Sequence, residues 1–200
     1  PPGTRGGCAL YVPETYDPAR PPPLVVALHG GSGNGADFLW TWLRVARSRG
    51  LLLGAPTSPG RTWTLDDPGA DGEVIERILA DVEARWPVDP GRRLLTGMSD
   101  GGTFSYGLGL QDGQRFTHLA PVAAAFHPVL MMLAHPARIR GLPIHVLHGA
   151  RDWMFTAATA REAARMLAGA GAAVTHEEIP DLAHAWPRER TGAIAAWFMA

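Results

Sequence analysis

The feature that most constrains the fold of this chain is a regular alternation of short apolar runs with longer amphipathic segments. Segment 24–30 (LVVALHG) is a clear apolar run: it is rich in Val and Leu and ends in glycine, which is typical of a strand buried on both faces. Segment 71–86 is a clear amphipathic one, because its apolar residues recur at helical spacing and acidic residues occupy its first turn. This alternation predicts a mostly parallel central sheet with helices on both faces, joined by right-handed crossovers.

The rest of the chain follows the same pattern. It predicts strands at 24–30, 51–56, 92–98, 118–126, 142–149 and 172–180, and helices at 37–50, 71–86, 101–111, 156–171 and 188–200. The last of these strands alternates polar and apolar residues, which favours a position at the edge of the sheet. Because the 200 residues contain no internal repeat and no long linker, we expect one α/β domain spanning residues 1–200.

Composition argues against several classes of partner. The formal net charge is −1, all 18 basic residues are Arg, and no more than two of them are adjacent, so we expect no nucleic-acid partner. No apolar stretch approaches the roughly 20 residues of a membrane helix, so we expect no membrane span. Cys8 is the only cysteine, which excludes an intrachain disulfide and a cysteine-based zinc cluster. We therefore expect a soluble protein. The sequence shows no signal-peptide pattern and leaves open a cytoplasmic or a secreted location, and a monomer or a dimer.

A serine between two glycines directly follows one of the predicted strands. In the segment GMSDG, Gly97 and Gly101 stand two residues before and two residues after Ser99, and a helix is predicted to begin at 101. Glycines at these positions let a strand and a helix pass closely at a sharp turn, which leaves the serine hydroxyl exposed above the sheet. A glycine turn without chemistry is the alternative explanation. The position between a strand and a helix favours a nucleophile.

A nucleophilic serine needs a base, and the chain has 8 histidines. We expect His184 to be the base, because it lies in a loop between the last strand and the last helix, after the serine and the candidate acid. His29 and His148 precede glycines at strand ends, where a ring can bond the neighbouring backbone, so we predict structural roles for both. Three others are predicted to pack in strands or to lie at the surface: His118, His145 and His176. The remaining two fall in a loop and could line a pocket: His127 and His135.

The third partner of such a pair is a carboxylate that orients the imidazole. Asp152 follows a strand by a short loop and lies between Ser99 and His184 in the chain. Asp181, three residues before His184, is the rival acid. We favour Asp152, since it follows a separate strand and can reach across to the histidine. A local contact, such as a salt bridge with Arg151, is its alternative role.

Acyl transfer also needs N–H donors for the oxyanion that develops on the reacting carbonyl. The glycine-rich segment 28–35 (LHGGSGNG) follows a strand and can bring its backbone close to a bound carbonyl. We expect the N–H groups of Gly31 and Asp100 to form the oxyanion hole. Glycine-rich loops also bind phosphates, but the chain has no Lys for a P-loop and no GxGxxG fingerprint, so the sequence disfavours a nucleotide-binding domain.

With these motifs the chain resembles the α/β-hydrolase superfamily over about residues 8 to 198. The segments LHGGSGNG, GMSDGG, HGARDWMF and AHAWP are similar to those of small, lidless serine esterases. These include the phospholipase/carboxylesterase group and the relatives of feruloyl esterases and polyhydroxyalkanoate depolymerases. The resemblance implies an α/β-hydrolase fold without a cap domain. The chain departs from the family at its start, where only segment 8–14 precedes the HG loop, so we expect a minimal or a trimmed hydrolase.

The resemblance implies hydrolysis of a small-molecule or polymeric carboxylic ester through an acyl-enzyme. Ser99 attacks the carbonyl, His184 takes and then returns the proton, and Asp152 orients His184, so neither a metal nor an organic cofactor is required. Motifs such as HExxH are absent from the sequence, which disfavours a metallohydrolase.

The site is expected to be open to solvent, because segment 127–141 is too short for the helical cap that many lipases insert between two strands. An open site suits short-chain, aromatic or polymeric esters. Residues at strand ends and beside the motifs are the candidates for substrate contact: Gly30, Trp63, Phe126, Trp153 and Trp186. For the tryptophans, ordinary packing is the alternative.

Two other functions are compatible with the same fold. A peptidase or amidase is the nearest alternative, although such relatives usually have a propeller or a cap. A hydrolase-fold protein that binds a ligand without catalysis is disfavoured, because such proteins typically lose the serine, the histidine or the acid, all of which are present here.

Overall fold

Seven strands form one sheet in a computed structural model of the chain, which describes residues 5–65, 68–111 and 115–200. The strands are β1 (Cys8–Tyr11), β2 (Leu24–Leu28), β3 (Leu52–Pro56), β4 (Arg93–Met98), β5 (His118–Val122), β6 (Pro143–Gly149) and β7 (Ala173–Ile179). The helices are α1 (Gly35–Arg49), α2 (Pro68–Arg85), α3 (Asp100–Gln111), α4 (Val129–Leu133), α5 (Pro136–Ile139), α6 (Ala157–Gly169) and α7 (Thr191–Met199), the last preceded by a 3-10 turn at Arg188–Arg190.

The order of the strands creates a crevice beside β2. Across the sheet they run β1-β3-β2-β4-β5-β6-β7, and every neighbouring pair is parallel except β1 and β3. The chain moves outward from β2 to β3 and then crosses to the other side of β2 to form β4. The segments after β2 and β4 therefore leave the sheet in opposite directions, which is where open α/β sheets bind ligands. The expectation of a mostly parallel sheet flanked by helices is confirmed, and β7 lies at the edge as predicted.

Apolar layers cover both faces of the sheet. On one face, residues such as Trp42 of α1 and Phe198 of α7 pack against the strands. On the other, α2, α3 and α6 contribute residues such as Ile75, Phe104 and Leu167. All five residues of β2 are buried, because the strand lies in the interior of a sheet covered on both sides. None of the helices in the described part of the chain is long and apolar enough to cross a membrane.

The predicted bounds differ from the structure mainly after β5. The strand predicted at 118–126 ends at Val122, because Ala123 has a φ of 47° and turns the chain out of the sheet. Segment 127–141, predicted as a loop, contains the two short helices α4 and α5. The helix predicted at 188–200 begins as a 3-10 turn and continues as α7. Helices of one or two turns are too short to show the periodicity from which the longer helices were predicted.

Candidate active site

Ser99 occupies a sharp turn between β4 and α3. Its φ of 56° is a left-handed conformation, which is costly for a residue with a side chain. The turn is too crowded for side chains on either flank. A Cβ on Gly97 would lie 2.5 Å from the backbone carbon of Gly101, and a Cβ on Gly101 would lie 2.4 Å from the carbonyl oxygen of Leu28. The strand and the helix therefore pass in contact and hold Ser99 at the tip of the turn.

The imidazole of His184 lies between Ser99 and Asp152. Its Nε2 is 2.9 Å from Oγ of Ser99, and its Nδ1 is 2.8 Å from Oδ2 of Asp152. A carboxylate can only accept hydrogen bonds, so Nδ1 of His184 carries the hydrogen and donates a hydrogen bond to Asp152. Nε2 is then free of hydrogen and accepts a hydrogen bond from the hydroxyl of Ser99. The two partners of His184 are 85 and 32 residues away in the chain, so only the fold brings the three side chains together. This arrangement suits a base that takes the serine proton.

The carboxylate of Asp152 is fixed by the turn that follows it. Its Oδ1 accepts the backbone N–H groups of Met154 at 2.9 Å and of Phe155 at 2.8 Å, and the side chain is fully buried. Burial by itself raises the pKa of this carboxyl. The hydrogen bonds from His184, Phe155 and Met154 together outweigh burial and lower the pKa of Asp152 below its ordinary value. Asp152 is therefore ionised at neutral pH and faces His184.

The rival acid Asp181 lies in a different environment. Its side chain is 84% exposed and pairs with Arg151 at a distance of 2.8 Å. The ring of His184 packs instead against the aromatic rings of Phe155 and Trp153, with centroid distances of 5.5 and 6.1 Å. The structure thus brings Asp152, and not Asp181, to the histidine.

The glycine-rich segment after β2 lies against the Ser99 turn. A Cβ on Gly30 would be 3.4 Å from the Cβ of Ser99, so the two segments are in contact. The buried ring of His29 holds this segment, because Nδ1 donates to the carbonyl of Gly30 at 2.6 Å and Nε2 accepts the N–H of Ser58 at 3.0 Å. Burial lowers the pKa of His29, which favours the neutral ring that this pair of bonds needs.

The two predicted oxyanion donors, Gly31 and Asp100, also lie side by side. Asp100 is the first residue of α3, so its N–H has no acceptor within the helix. Its carboxylate accepts the hydroxyl of Thr62 at 2.5 Å and would be only 2.7 Å from a Cβ on Gly31. The side chain of Asp100 therefore fills the space that any larger residue at position 31 would need.

A cleft of about 550 Å³ opens beside Ser99 and His184. Its other walls come from the glycine-rich segment, including Gly30 and Asn34, and from residues that were not among the candidates: Asp37, Phe38, Met98 and Met154. The sequence does contain a signal for the place of Asp37, since the side chain of Asn34 caps α1 by accepting the N–H of Asp37. Within the described ranges, no group of three or more His, Cys, Asp or Glu side chains is arranged to hold a metal ion.

One of the four aromatic residues predicted to contact substrate lies exposed beside the site. Trp153 is 75% exposed and adjoins the ring of His184. Trp63, in contrast, is 2% exposed, because its loop folds inward and its indole N–H donates to the carbonyl of His29 at 2.8 Å. Its ring also stacks on Phe104. The structure therefore places Trp63 in the core and not in the cleft.

Phe126 and Trp186 are also buried away from the cleft. Phe126 packs edge-on against Tyr106. Trp186 packs against Phe38 and Trp42, and its indole N–H donates to the hydroxyl of Thr191. For Trp186, as for Trp63, the alternative of ordinary packing describes the structure. Phe126, which the sequence placed at the end of a strand as a candidate for substrate contact, lies in the core as well.

Comparison with known proteins shows similarity to esterases. No family model matches the chain. A feruloyl esterase C of Emericella nidulans is 32% identical to it over 114 residues, which are 54% of this chain and 42% of that protein. A probable feruloyl esterase C of Aspergillus flavus is 29% identical over the same length. The match thus spans less than half the length of these relatives.

Solved structures are similar over nearly the whole chain. An acetyl xylan esterase from Aspergillus awamori has a TM-score of 0.80 at 14% identity and matches over 98% of this chain and 94% of its own. At such low identity the likeness shows the fold. The chain has the α/β-hydrolase fold of this esterase, so the fold that the sequence motifs led us to expect is confirmed.

Proposed function

We propose that the protein hydrolyses carboxylic esters through an acyl-enzyme, with Ser99 as nucleophile, His184 as base and Asp152 as the acid that orients the base. One observation carries this proposal: the hydrogen-bonded series from Ser99 through His184 to Asp152, assembled from three separate segments of the chain. The similarity to proteins named as feruloyl, acetyl xylan and other carboxylic esterases supports an ester as the bond that is cleaved.

The first half of the reaction forms the acyl-enzyme. Oγ of Ser99 bonds to the carbonyl carbon of the ester while Nε2 of His184 takes the serine proton, and Asp152 stabilises the resulting imidazolium. The negative charge on the carbonyl oxygen is stabilised by the N–H groups of Gly31 and Asp100. When the intermediate collapses, the bond to the alcohol oxygen breaks, and the alcohol leaves with the proton from Nε2.

The second half releases the acid. Water gives a proton to Nε2 of His184 and attacks the acyl carbon, and the same two N–H groups stabilise the second oxyanion. Collapse of this intermediate breaks the bond to Oγ, and Ser99 regains its proton from His184. Each residue is thus used twice and is restored at the end.

The shape of the cleft favours short-chain or aromatic esters, including those attached to a polymer. Phe38 and Met154 supply apolar wall to the cleft that also contains Ser99 and His184. Trp153 presents an exposed ring beside His184 on which an aromatic or sugar ring can stack. The segment between β5 and β6, where larger relatives insert a cap, forms only the short helices α4 and α5.

Initial rates on p-nitrophenyl acetate, butyrate, octanoate and palmitate test this function. We expect the acetate and butyrate to be the better substrates and Ser99→Ala to lower kcat/KM by about 10⁴-fold or more. Ser48→Ala is the matched control, because Ser48 is an exposed serine of α1 and its loss leaves the site intact. If wild type and Ser99→Ala were equally inert on all four esters, the proposal would be wrong. A faster rate on a matching p-nitroanilide would indicate an amidase.

A further inference from the structure

A second histidine, His148, contacts the carboxylate of Asp152 from the interior of the protein. It is the penultimate residue of β6 and is 1% exposed. Its Nε2 lies 3.3 Å from Oδ2 of Asp152 and 2.8 Å from the carbonyl oxygen of Phe155. The sequence indicates only that a histidine ends a strand. It does not show that the chain at 152–155 folds back over this ring.

The chemistry of these two contacts fixes where the proton of the ring lies. A carbonyl oxygen can only accept, so Nε2 of His148 carries a hydrogen and donates it to Phe155. The same nitrogen lies 3.3 Å from Oδ2 of Asp152, the oxygen that also accepts the hydrogen bond from Nδ1 of His184. Nitrogens of both histidines are thus close to this oxygen, while the other carboxylate oxygen accepts the backbone N–H groups of the turn.

The charged residue opposite His148 has another partner. Glu178 lies beside His148 in the register of β6 and β7. Both of its carboxylate oxygens accept hydrogen bonds from Arg161, at 2.8 and 3.2 Å. Nε2 of His148 is therefore directed to the turn that contains Asp152 and not across the sheet.

We propose that His148 is a positioning residue of the hydrolytic site: its Nε2–H binds the Phe155 carbonyl and so holds the turn 152–155 against β6, with Oδ2 of Asp152 facing His184. This inference rests on the proposed function of the site. Without the N–H, the turn loses the bond that ties it to β6. The carboxylate of Asp152 is then less well aligned with the imidazole of His184.

Three variants separate this role from simple packing. His148→Phe fills the space without a donor, and His148→Gln retains an N–H near the position of Nε2. His145→Phe is the matched control on the same strand, because His145 bonds Thr175 and has no contact with Asp152.

We expect His148→Phe to lower kcat about tenfold or more, because the turn that carries Asp152 is no longer held in line with His184. KM should change less than about twofold, since no substrate contact is removed. His148→Gln should recover most of the rate, and His145→Phe should match wild type. A wild-type kcat in folded His148→Phe would overturn the proposal, as would a His148→Gln variant as slow as His148→Phe.

A measurement on the unmodified protein does not depend on how well the variants fold. Nitrogen NMR of ¹⁵N-histidine-labelled wild type, assigned by sequential connectivity in the wild-type protein, reports which nitrogen of His148 carries hydrogen. We expect hydrogen on Nε2, in slow exchange with solvent. A ring protonated on Nδ1 alone would overturn the proposal. An inactive wild type would refute the proposed function, whereas an active wild type with the wrong tautomer would refute only the role of His148.

Discussion

Two clefts of similar volume lie at opposite ends of the strands, and the polar contacts around them differ. The candidate active site, of about 550 Å³, follows the carboxyl ends of β2 and β4. A second cleft of about 610 Å³ lies at the amino ends of the strands, among prolines and charged residues that precede β2, β3 and β4. Around that second cleft the charged side chains pair with near neighbours in the chain, Arg20 with Asp17 and Arg92 with Asp89.

The difference teaches which contacts identify a site. An ion pair three residues apart on the surface needs no particular fold and contributes little to stability. A buried carboxylate is costly unless several donors are brought to it. At Asp152 two of those donors are backbone N–H groups of the following turn, and the third, the imidazole of His184, comes from 32 residues further along the chain. Groups held in this way cluster at functional sites. The larger of the two clefts lacks these contacts, so volume alone would not have identified the candidate site.

The largest expected effect comes from removing charge at the buried acid. Asp152→Asn should lower kcat/KM by about 10⁴-fold, because an amide no longer fixes the tautomer of His184 or stabilises the imidazolium. Asp181→Asn is the control, since its carboxylate is exposed and bound to Arg151. We expect that variant to keep nearly full activity on p-nitrophenyl acetate. A greater loss in Asp181→Asn than in Asp152→Asn would identify the rival acid as the functional one.

A smaller effect is expected from crowding the join between β6 and the loop of His184. A Cβ on Gly149 would lie 2.3 Å from the carbonyl oxygen of Leu182 and 2.7 Å from that of Ala183. Backbone atoms must therefore move, and we expect Gly149→Ala to lower the free energy of unfolding in urea by about 3 kcal/mol and to displace His184 from Ser99.

Gly169 provides the matched substitution for that experiment. No atom lies within 4 Å of a Cβ placed on this last residue of α6. Gly169→Ala should leave activity unchanged and leave stability unchanged or higher by up to about 1 kcal/mol. If Gly149→Ala were as stable and as active as Gly169→Ala, the close contact between β6 and the loop of His184 would be wrong.

The sequence predicted those parts of the site that stand at strand ends in short motifs. Ser99 is flanked by the glycines that its turn needs, and His184 and Asp152 occupy the loops expected from their order in the chain. Parallel strands place their carboxyl ends on the same side of the sheet, so three residues that follow three such strands come close together. This convergence can be predicted without knowing how the loops fold.

The parts that the sequence could not predict depend on how loops fold back. Glycine and proline around Trp63 suggested an exposed loop, yet the loop turns inward and buries the ring on His29 and Phe104. In the same way, nothing in the sequence shows that the turn at 152–155 covers His148. The direction of a side chain in an irregular segment is set by tertiary packing, which leaves no periodic pattern in the sequence.

The smallest expected effect tests the second cleft. Asp89 accepts the guanidinium of Arg92 and the N–H of Gly91, and these bonds, opposed by burial, lower the pKa of Asp89 below its ordinary value. An asparagine can still accept the N–H of Gly91, so Asp89→Asn removes the interaction with Arg92, that is, the charge attraction together with the hydrogen bond from Nε. We expect a loss of about 0.5–1 kcal/mol in the free energy of unfolding at pH 7. Activity should be unchanged, because the residue lies at the end of the strands opposite to Ser99.

The pH and salt dependence of that loss follow from the direction of the shift. A lowered pKa means that the carboxylate of Asp89 stabilises the folded state above about pH 4, the range in which it is ionised in the unfolded chain as well. The contribution disappears as the pH falls through the folded-state pKa, so wild type and Asp89→Asn should converge in urea unfolding below that pH, and also in 1 M salt at pH 7. A fall in esterase activity in Asp89→Asn would show instead that the two clefts are coupled through β2 and β4. The conclusion that the second cleft is separate from the candidate active site would then have to be abandoned.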